Sequence, residues 1–308
     1  MILMLINKIS QIDPPLEDVE FSDFSKHRIR LKILRLDRMN SEVGGNKIFK
    51  LKYNIEKILK LGSPVVVSFG GAYSNHLRAL AAAGRIYSFK THGFVRGEIV
   101  RPLNPIMKFC NQQGMELQAI SREDYRSKSS EDFISRLRSQ FGDFYILPEG
   151  GSNKEALLGC SEIPQFIPQV SQSKLRYIIL ACGTGLTLAG IVLGGGRLER
   201  TKVVGFSVLK APGYLYREVT NYLALTKSRS PNEGLISWQI EDDYHCGGYA
   251  KTNARLLEFV DNFMRETSLP IEPVYTGKML YGFSQLANRG AVLPDTEVVA
   301  IHTGGLHH

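Results

Sequence analysis

Short apolar runs recur along this chain with helix-patterned stretches between them, and that alternation constrains the fold more than any other feature. The runs are PVVVSF (64–69), THGFVR (91–96), ELQAI (116–120), FYILP (144–148), YIILAC (177–182), KVVGFSV (202–208) and EVVAIH (297–302). Nearly continuous apolar strands are buried on both faces, which is the situation of parallel sheets covered by helices. The sequence therefore predicts an α/β fold. No internal repeat, low-complexity tract or linker marks a boundary. With 308 residues, 43% of them hydrophobic, the chain can bury a large core and is expected to form two subdomains rather than one.

Charge and cysteine usage narrow the function. The net charge is +8, but the 38 Lys and Arg residues are spread among 30 acidic ones and no basic run is interleaved with aromatics. Nucleic acid is not an expected partner, whereas anionic small molecules suit the excess charge. Cys110, Cys160, Cys182 and Cys246 lie far apart without a CxxC pair, so no disulfide framework and no metal site are expected, and the compartment expected is the reducing cytoplasm. The opening MILMLINK has no charged leader region and too short an apolar run for a signal peptide. No stretch reaches the roughly 20 apolar residues of a membrane span, so no membrane partner is expected.

The stretch GGNKIFKLKYN (44–54) poses a chemical question. Ile48, Leu51, Ile55 and Ile58 share one helical face, Asn46 is the candidate N-cap and Gly62 the candidate stop. Lys47 then occupies the first helical position and Lys50 lies nearly one turn on. Cations there oppose the helix dipole by about 0.3–1 kcal/mol each. Taken alone, Lys47 reads as a solvated surface lysine. The chemical reading is a Schiff-base lysine, whose charge is removed on joining a carbonyl cofactor.

Four further segments carry polar groups at strand ends. In SFGGAYSNHLRALAAAG (68–84), Gly70-Gly71 leads into a helix whose start holds Ser74, Asn75 and His76, placed to grip a carboxylate or phenolate oxygen. Helix capping by Ser74 explains the serine but not the double glycine. In YIILACGTGLTLAGIVLG (177–194), Gly183, Thr184, Gly185, Leu186 and Thr187 form a turn whose amides and hydroxyls suit one phosphate monoester. It lacks the Gly-Lys-Ser/Thr of a P-loop, and the next strand lacks the acidic residue of a dinucleotide site, which leaves a nicotinamide-dependent oxidoreductase as a distant alternative. IEPVYTGKMLYGF (271–283) and the terminal VVAIHTGG contribute Tyr275, Thr276 and Thr303, each of which alone reads as core or capping.

Taken in order, GGNKIFKL, GGAYSNH, CGTGLT, EPVYTGK and HTGG resemble the 1-aminocyclopropane-1-carboxylate deaminase/D-cysteine desulfhydrase family, from about Asp37 to Gly305. The resemblance implies pyridoxal 5'-phosphate as cofactor and a tryptophan-synthase-β-like fold (PLP fold type II). That fold has two subdomains, each with a parallel sheet flanked by helices, and the cofactor in the cleft between them. It implies residues 1–49 and 155–308 as the larger, cofactor-binding domain, 50–154 as the smaller, substrate-side domain, and a homodimer. Lys47 resembles the Schiff-base lysine that also moves the α-proton, Lys50 a holder of the cofactor phosphate, and Gly183 to Thr187 the phosphate cup. Asn75 resembles the residue that bonds the pyridine 3'-oxygen, and Ser74 the one that meets the substrate carboxylate. Tyr249, in CGGYAKTN, and Tyr275 resemble the two active-site tyrosines.

Within the family, cyclopropane-opening deaminases carry Glu after the PVY tyrosine and Leu in the terminal H-x-G-G. This chain has Thr276 and Thr303, the desulfhydrase-like pair. A threonine hydroxyl favours a neutral pyridine nitrogen, whereas a carboxylate keeps it protonated and makes the ring a stronger electron sink. The expected activity is α,β-elimination on a small amino acid, D-cysteine first, giving pyruvate, ammonia and sulfide. The alternatives are 1-aminocyclopropane-1-carboxylate deamination and a non-catalytic cofactor or amino-acid binding protein. Tyr73 departs from the Gln usual before Ser-Asn, which bears on substrate size, and His307 and His308 are given no function.

Overall fold

The computed structural model of the chain describes residues 9, 12–62, 64–171, 173, 175–226 and 235–306. The opening MILMLINK and the closing His307 and His308 lie outside the described residues. The strands are β1 Leu16–Val19, β2 Arg30–Arg35, β3 Val65–Gly70, β4 Thr91–Arg96, β5 Glu116–Ile120, β6 Phe144–Leu147, β7 Arg176–Cys182, β8 Thr201–Ser207, β9 Ser237–Glu241 and β10 Glu297–His302. Among the described residues, the helices of eight or more residues are α1 Lys47–Lys60, α2 Asn75–Tyr87, α3 Pro105–Gln112, α4 Glu131–Phe141, α5 Leu186–Gly194, α6 Tyr214–Ala224, α7 Ala254–Thr267 and α8 Thr276–Asn288. The chain divides into two compact units, one built on Asn40–Ala156 and the other on Asp13–Met39 with Leu157–Leu306.

The first unit holds a four-stranded sheet in the order β5-β4-β3-β6, parallel throughout. One face carries an aromatic cluster in which Phe69 stacks on Phe94 at 5.5 Å, with Tyr125, Phe133 and Leu137 around them. Helix α1 buries Ile48, Leu51, Ile55 and Ile58, the face its spacing predicts, and packs against α2. It ends before Gly62, whose φ of +79° only glycine adopts without strain. The expected cap at Asn46 is corrected. Its backbone is already helical (φ −62°, ψ −9°), and no α1 amide reaches its side chain, because a capping side chain needs an extended backbone to fold back. Residues 40–49 stay with this sheet, so the contact boundary falls at 39/40, ahead of the turn into α1.

The second unit holds a six-stranded sheet in the order β1-β2-β10-β7-β8-β9. All neighbours are parallel except β1, which runs antiparallel to β2 at the edge. Strands β1, β2 and β9 are additional to the expected set. LEDV and SWQIE are short edge strands, and RLKILR carries charges that break its apolar run, so none shows the continuous pattern of the central strands. Helix α5 is apolar on every side, with Leu186, Leu188, Ile191 and Val192 wholly buried, as a helix enclosed by its own unit must be.

Glycine makes that enclosure feasible. A Cβ at Gly190 would lie 2.3 Å from the Cβ of Cys160, and one at Gly194 would lie 1.9 Å from the Ser161 carbonyl oxygen. The segment 160–161 thus lies directly on the α5 backbone. Gly190→Ala is expected to lower unfolding free energy by about 1–3 kcal/mol through overpacking, read from urea denaturation. An unchanged midpoint would show that this contact relaxes without cost.

Candidate active site

In an open parallel sheet, a crevice forms at the carboxyl ends of two adjacent strands whose onward connections leave in opposite directions. In the first unit that point lies between β3 and β6, since β3 leads on through β4 to β5 on one side while β6 pairs on the other. The segments leaving it are Gly71–Ser74, which enters α2, and Pro148–Gly151. Ser74 caps α2, its Oγ accepting from the Leu77 amide at 3.2 Å. A Cβ at Gly70 would sit 2.5 Å from that Oγ, so the first glycine of the pair is required by the cap, whereas Gly71 faces open space.

Two side chains after Ser74 bury polar atoms that lack hydrogen-bond partners, Asn75 Oδ1 and His76 Nδ1. The histidine's state follows from its other nitrogen. Ser68 donates its proton to the Leu147 carbonyl at 2.8 Å, so the 2.9 Å contact to His76 is the imidazole Nε2–H donating to Ser68 Oγ. Burial, reinforced by the charges of Lys47 and Lys50, holds His76 well below its ordinary pKa. It is a neutral ring with Nδ1 as an acceptor.

Lys47 is half-buried at the start of α1 and donates to Asn46 Oδ1 at 2.8 Å, while Lys50 is 3% exposed and donates to the Gly150 carbonyl at 2.8 Å. No acidic residue offsets them in the first turn of α1. A buried network holds the helix in place. Asn54 Nδ2 donates to the Lys50 carbonyl at 2.7 Å, and Asn54 Oδ1 accepts from Tyr145 Oη at 2.8 Å and Asn153 Nδ2 at 2.7 Å. Burial pushes the Tyr145 hydroxyl up to about 12, so it stays a donor.

In the second unit the corresponding point lies between β7 and β10. Strand β7 runs into Gly183, Thr184 and Gly185 and then α5; β10 runs into Thr303 and Gly304. Gly185 has φ +77° and heads α5 without a side-chain cap, so the helix opens with backbone amides directed at the turn. Leu186 is wholly buried, so only its backbone belongs to that turn, and Thr187 is 7% exposed. Tyr275 approaches the same turn, its ring and hydroxyl 3.5 Å from where a Gly183 Cβ would stand. Tyr249, 46% exposed, meets Tyr275 edge to face at 6.0 Å. The second unit thus gathers Gly183, Tyr275 and Tyr249, while the first gathers Lys50, His76 and Gly150–Gly151.

Three buried residues that sequence reasoning left unassigned set this geometry. Glu272 accepts from the amides of Val274 (2.6 Å), Tyr275 (2.9 Å) and Thr276 (2.7 Å) at the head of α8. His302 Nε2 lies 3.1 Å from the Pro270 carbonyl, which makes it the donor, and its Nδ1 accepts from the Gly304 amide at 3.2 Å. It ties the turn carrying Thr303 to the segment that leads to Tyr275. Lys278 is fully buried and donates to the Gly248 carbonyl at 2.7 Å. The available signal was polarity out of place: each is an ionisable residue in an otherwise apolar stretch.

In each unit, then, a glycine turn at the strand-order reversal of a parallel sheet leads into a helix start. The sequence pattern of the pyridoxal-phosphate dependent enzymes matches residues 15–304, and the chain belongs to that family. It is 30% identical over 295 residues to the bifunctional D-cysteine desulfhydrase/1-aminocyclopropane-1-carboxylate deaminase, mitochondrial, of Arabidopsis thaliana, covering 90% of this chain and 72% of the relative. In fold it is similar to the crystal structure of an ACC deaminase homologue, with TM-score 0.82 at 24% identity, covering 99% of this chain and 95% of that one. It is also similar to threonine deaminase isoform 2 of Solanum lycopersicum, with TM-score 0.68 at 14% identity over 99% and 83% of the two chains. The fold is the tryptophan-synthase-β-like PLP fold type II.

The residues fit pyridoxal 5'-phosphate, the cofactor of the family. Helix α5 opens at Gly185, which has no side chain to cap it, and the buried Asn75 amide has an unpartnered end which, turned over, presents N–H to a phenolate oxygen. Among the described residues no helix is long and apolar enough to cross a membrane, and no group of three or more His, Cys, Asp or Glu is placed to hold a metal ion.

Burial raises the Glu272 carboxyl to about 7, against the pull of its three amide donors. Unfolded, it titrates near about 4.3, so between these values the folded state holds the extra proton. Its contribution to stability is full below the lower value and falls as pH rises towards 7. Urea denaturation from pH 4.5 to 8 should therefore show a downward component in the native protein that Glu272→Gln lacks. Parallel pH profiles for the two proteins would refute this.

Proposed function

We propose that this chain catalyses α,β-elimination on a small β-substituted amino acid, D-cysteine first, releasing pyruvate, ammonia and sulfide. The observation that carries this reading is the head of α8. The residue after Tyr275 is Thr276, whose buried hydroxyl lies against Glu272, and that carboxylate accepts from three backbone amides. No carboxylate remains at that position to protonate a pyridine nitrogen, which suits expulsion of a good leaving group such as thiolate. The Arabidopsis relative, whose name includes D-cysteine desulfhydrase, supports the same substrate class.

Bound pyridoxal phosphate supplies an electron sink for the pair left at the α-carbon of an amino acid joined to it. The chain's residues then divide the work. Lys47 would hold the cofactor through its Nζ, and the same Nζ would take the α-proton. The resemblance gives Lys50 and the backbone of Gly183 to Thr187 as the groups that would hold the phosphate, with the hydroxyls of Thr184 and Thr187 in support. Asn75 bonds the 3'-oxygen. Ser74 uses Oγ as an acceptor for Leu77 and keeps its proton for the substrate carboxylate. One of Tyr275 and Tyr249, which are in contact with each other, would orient or protonate the leaving group. Thr303 joins Thr276 in leaving the ring nitrogen neutral. We further propose a homodimer, by resemblance to the family. We also propose a reducing, cytoplasmic setting, which suits Cys110, Cys160, Cys182 and Cys246, none of them in a disulfide among the described residues, and a division of labour in which residues 50–154 form the substrate side.

Lys47→Ala should remove both turnover and the visible absorbance band of the purified protein. Turnover retained by that variant would end the mechanism. The second reading, cyclopropane deamination, is kept because the same Arabidopsis relative is named for both activities. Sulfide release from D-cysteine measured beside 2-oxobutanoate release from 1-aminocyclopropane-1-carboxylate is expected to favour sulfide by at least tenfold in kcat/KM. The reverse ratio would make the second reading the right one.

A further inference from the structure

The loop that carries Tyr249 has an unfavourable backbone. Cys246, Gly247, Gly248 and Ala250 all have positive φ, at +53°, +99°, +117° and +54°. Two of these are not glycine, and such residues enter the left-handed region only when their surroundings impose it. Hydrogen bonds within the loop include Gly248 N to the His245 carbonyl at 3.1 Å, Gly247 N to His245 Nδ1 at 2.9 Å, Lys251 N to the Gly248 carbonyl at 3.1 Å and Cys246 Sγ to the Tyr244 carbonyl at 3.5 Å. A further hold comes from α8. Lys278, 0% exposed, directs its ammonium at the same Gly248 carbonyl over 2.7 Å.

An ammonium removed from water is strongly unfavourable unless it is bonded and balanced. Burial lowers the Lys278 pKa, while Glu272 and the Cys246 thiol, the titratable groups facing it, pull the other way. An apolar side chain would fill this place in α8 at less cost. A cation is retained where its one strong acceptor is the carbonyl directly before Tyr249.

We infer that Lys278 is a positioning residue: by pinning the Gly248 carbonyl it fixes the left-handed loop and sets Tyr249 against Tyr275 for the reaction. The inference rests on the proposed role of the two tyrosines. Lys278 touches neither substrate nor cofactor in this account and acts through Tyr249 alone.

Two readouts test it. In the cofactor-loaded protein, Lys278→Met should speed amide hydrogen exchange at least tenfold in residues 244–253 while the rest of α8 stays protected. Exchange unchanged in that loop would overturn the inference whatever the enzyme does. In kinetics on D-cysteine, Lys278→Met is expected to keep the visible band and lose kcat about as much as Tyr249→Phe, with KM moved less. The double variant should lose no more than the larger single loss, since residues acting through one another are not additive. Independent, multiplying losses would overturn it. Should Lys278→Met fail to fold, Lys278→Gln, which keeps a shorter donor, is read in the same way and should loosen the loop less. If the native enzyme acts on no amino acid, the functional reading fails while hydrogen exchange still decides whether Lys278 holds the loop.

Discussion

Parallel pairing is the constraint from which the rest of this molecule follows. When neighbouring strands run the same way, all their carboxyl ends lie along one edge, and each helix that follows begins there with unpaired amides and a positive dipole end. At the β3/β6 and β7/β10 pairs the connections part, and both places are lined by glycine turns leading into α2 and α5. An anion-receptive edge therefore comes with the fold. The side chains set on that edge decide the chemistry.

Those side chains are held by buried polar groups bonded mainly to backbone. Lys50 donates to Gly150, His302 bridges Pro270 and Gly304, Glu272 gathers three amides, and Lys278 reaches Gly248. Each would be costly to bury alone, and each is satisfied by a main-chain partner on the segment it positions. Lysine stands near the start of both α1 and α8. In α8 the Glu272 carboxylate offsets the dipole. In α1 no acidic residue of the first turn does so, which fits a helix start that awaits the anionic group of a cofactor.

Much of this was legible in the sequence because it is local. Central strands such as YIILAC and EVVAIH announce themselves by continuous burial, and the α1 face by its spacing. The Gly183–Gly185 turn is visible as a glycine pair, of which Gly185 takes a positive φ. Strands β1, β2 and β9 were not visible, since they lie towards or at a sheet edge where polar residues are tolerated. Asn46 shows the limit of reasoning from residue type: it stands at the cap position, but a helical backbone there turns its side chain to Lys47 instead. The glycine pair at 70–71 reads as one feature in sequence, yet only Gly70 is forced, by the Ser74 hydroxyl.

The sequence by itself determined the α/β class, the cofactor family and the candidates for its chemistry, because apolar runs, glycine turns and family resemblance are all properties of segments of a few residues. Tertiary structure alone decided which polar residues are buried and what they hold. Lys278 and Gly248 lie 30 positions apart and Lys50 and Gly150 lie 100 apart. The protonation state of His76, likewise, depends on Ser68 having already given its proton to Leu147. Such facts depend on distances between segments that the chain brings together only by folding, so no local pattern in the sequence records them.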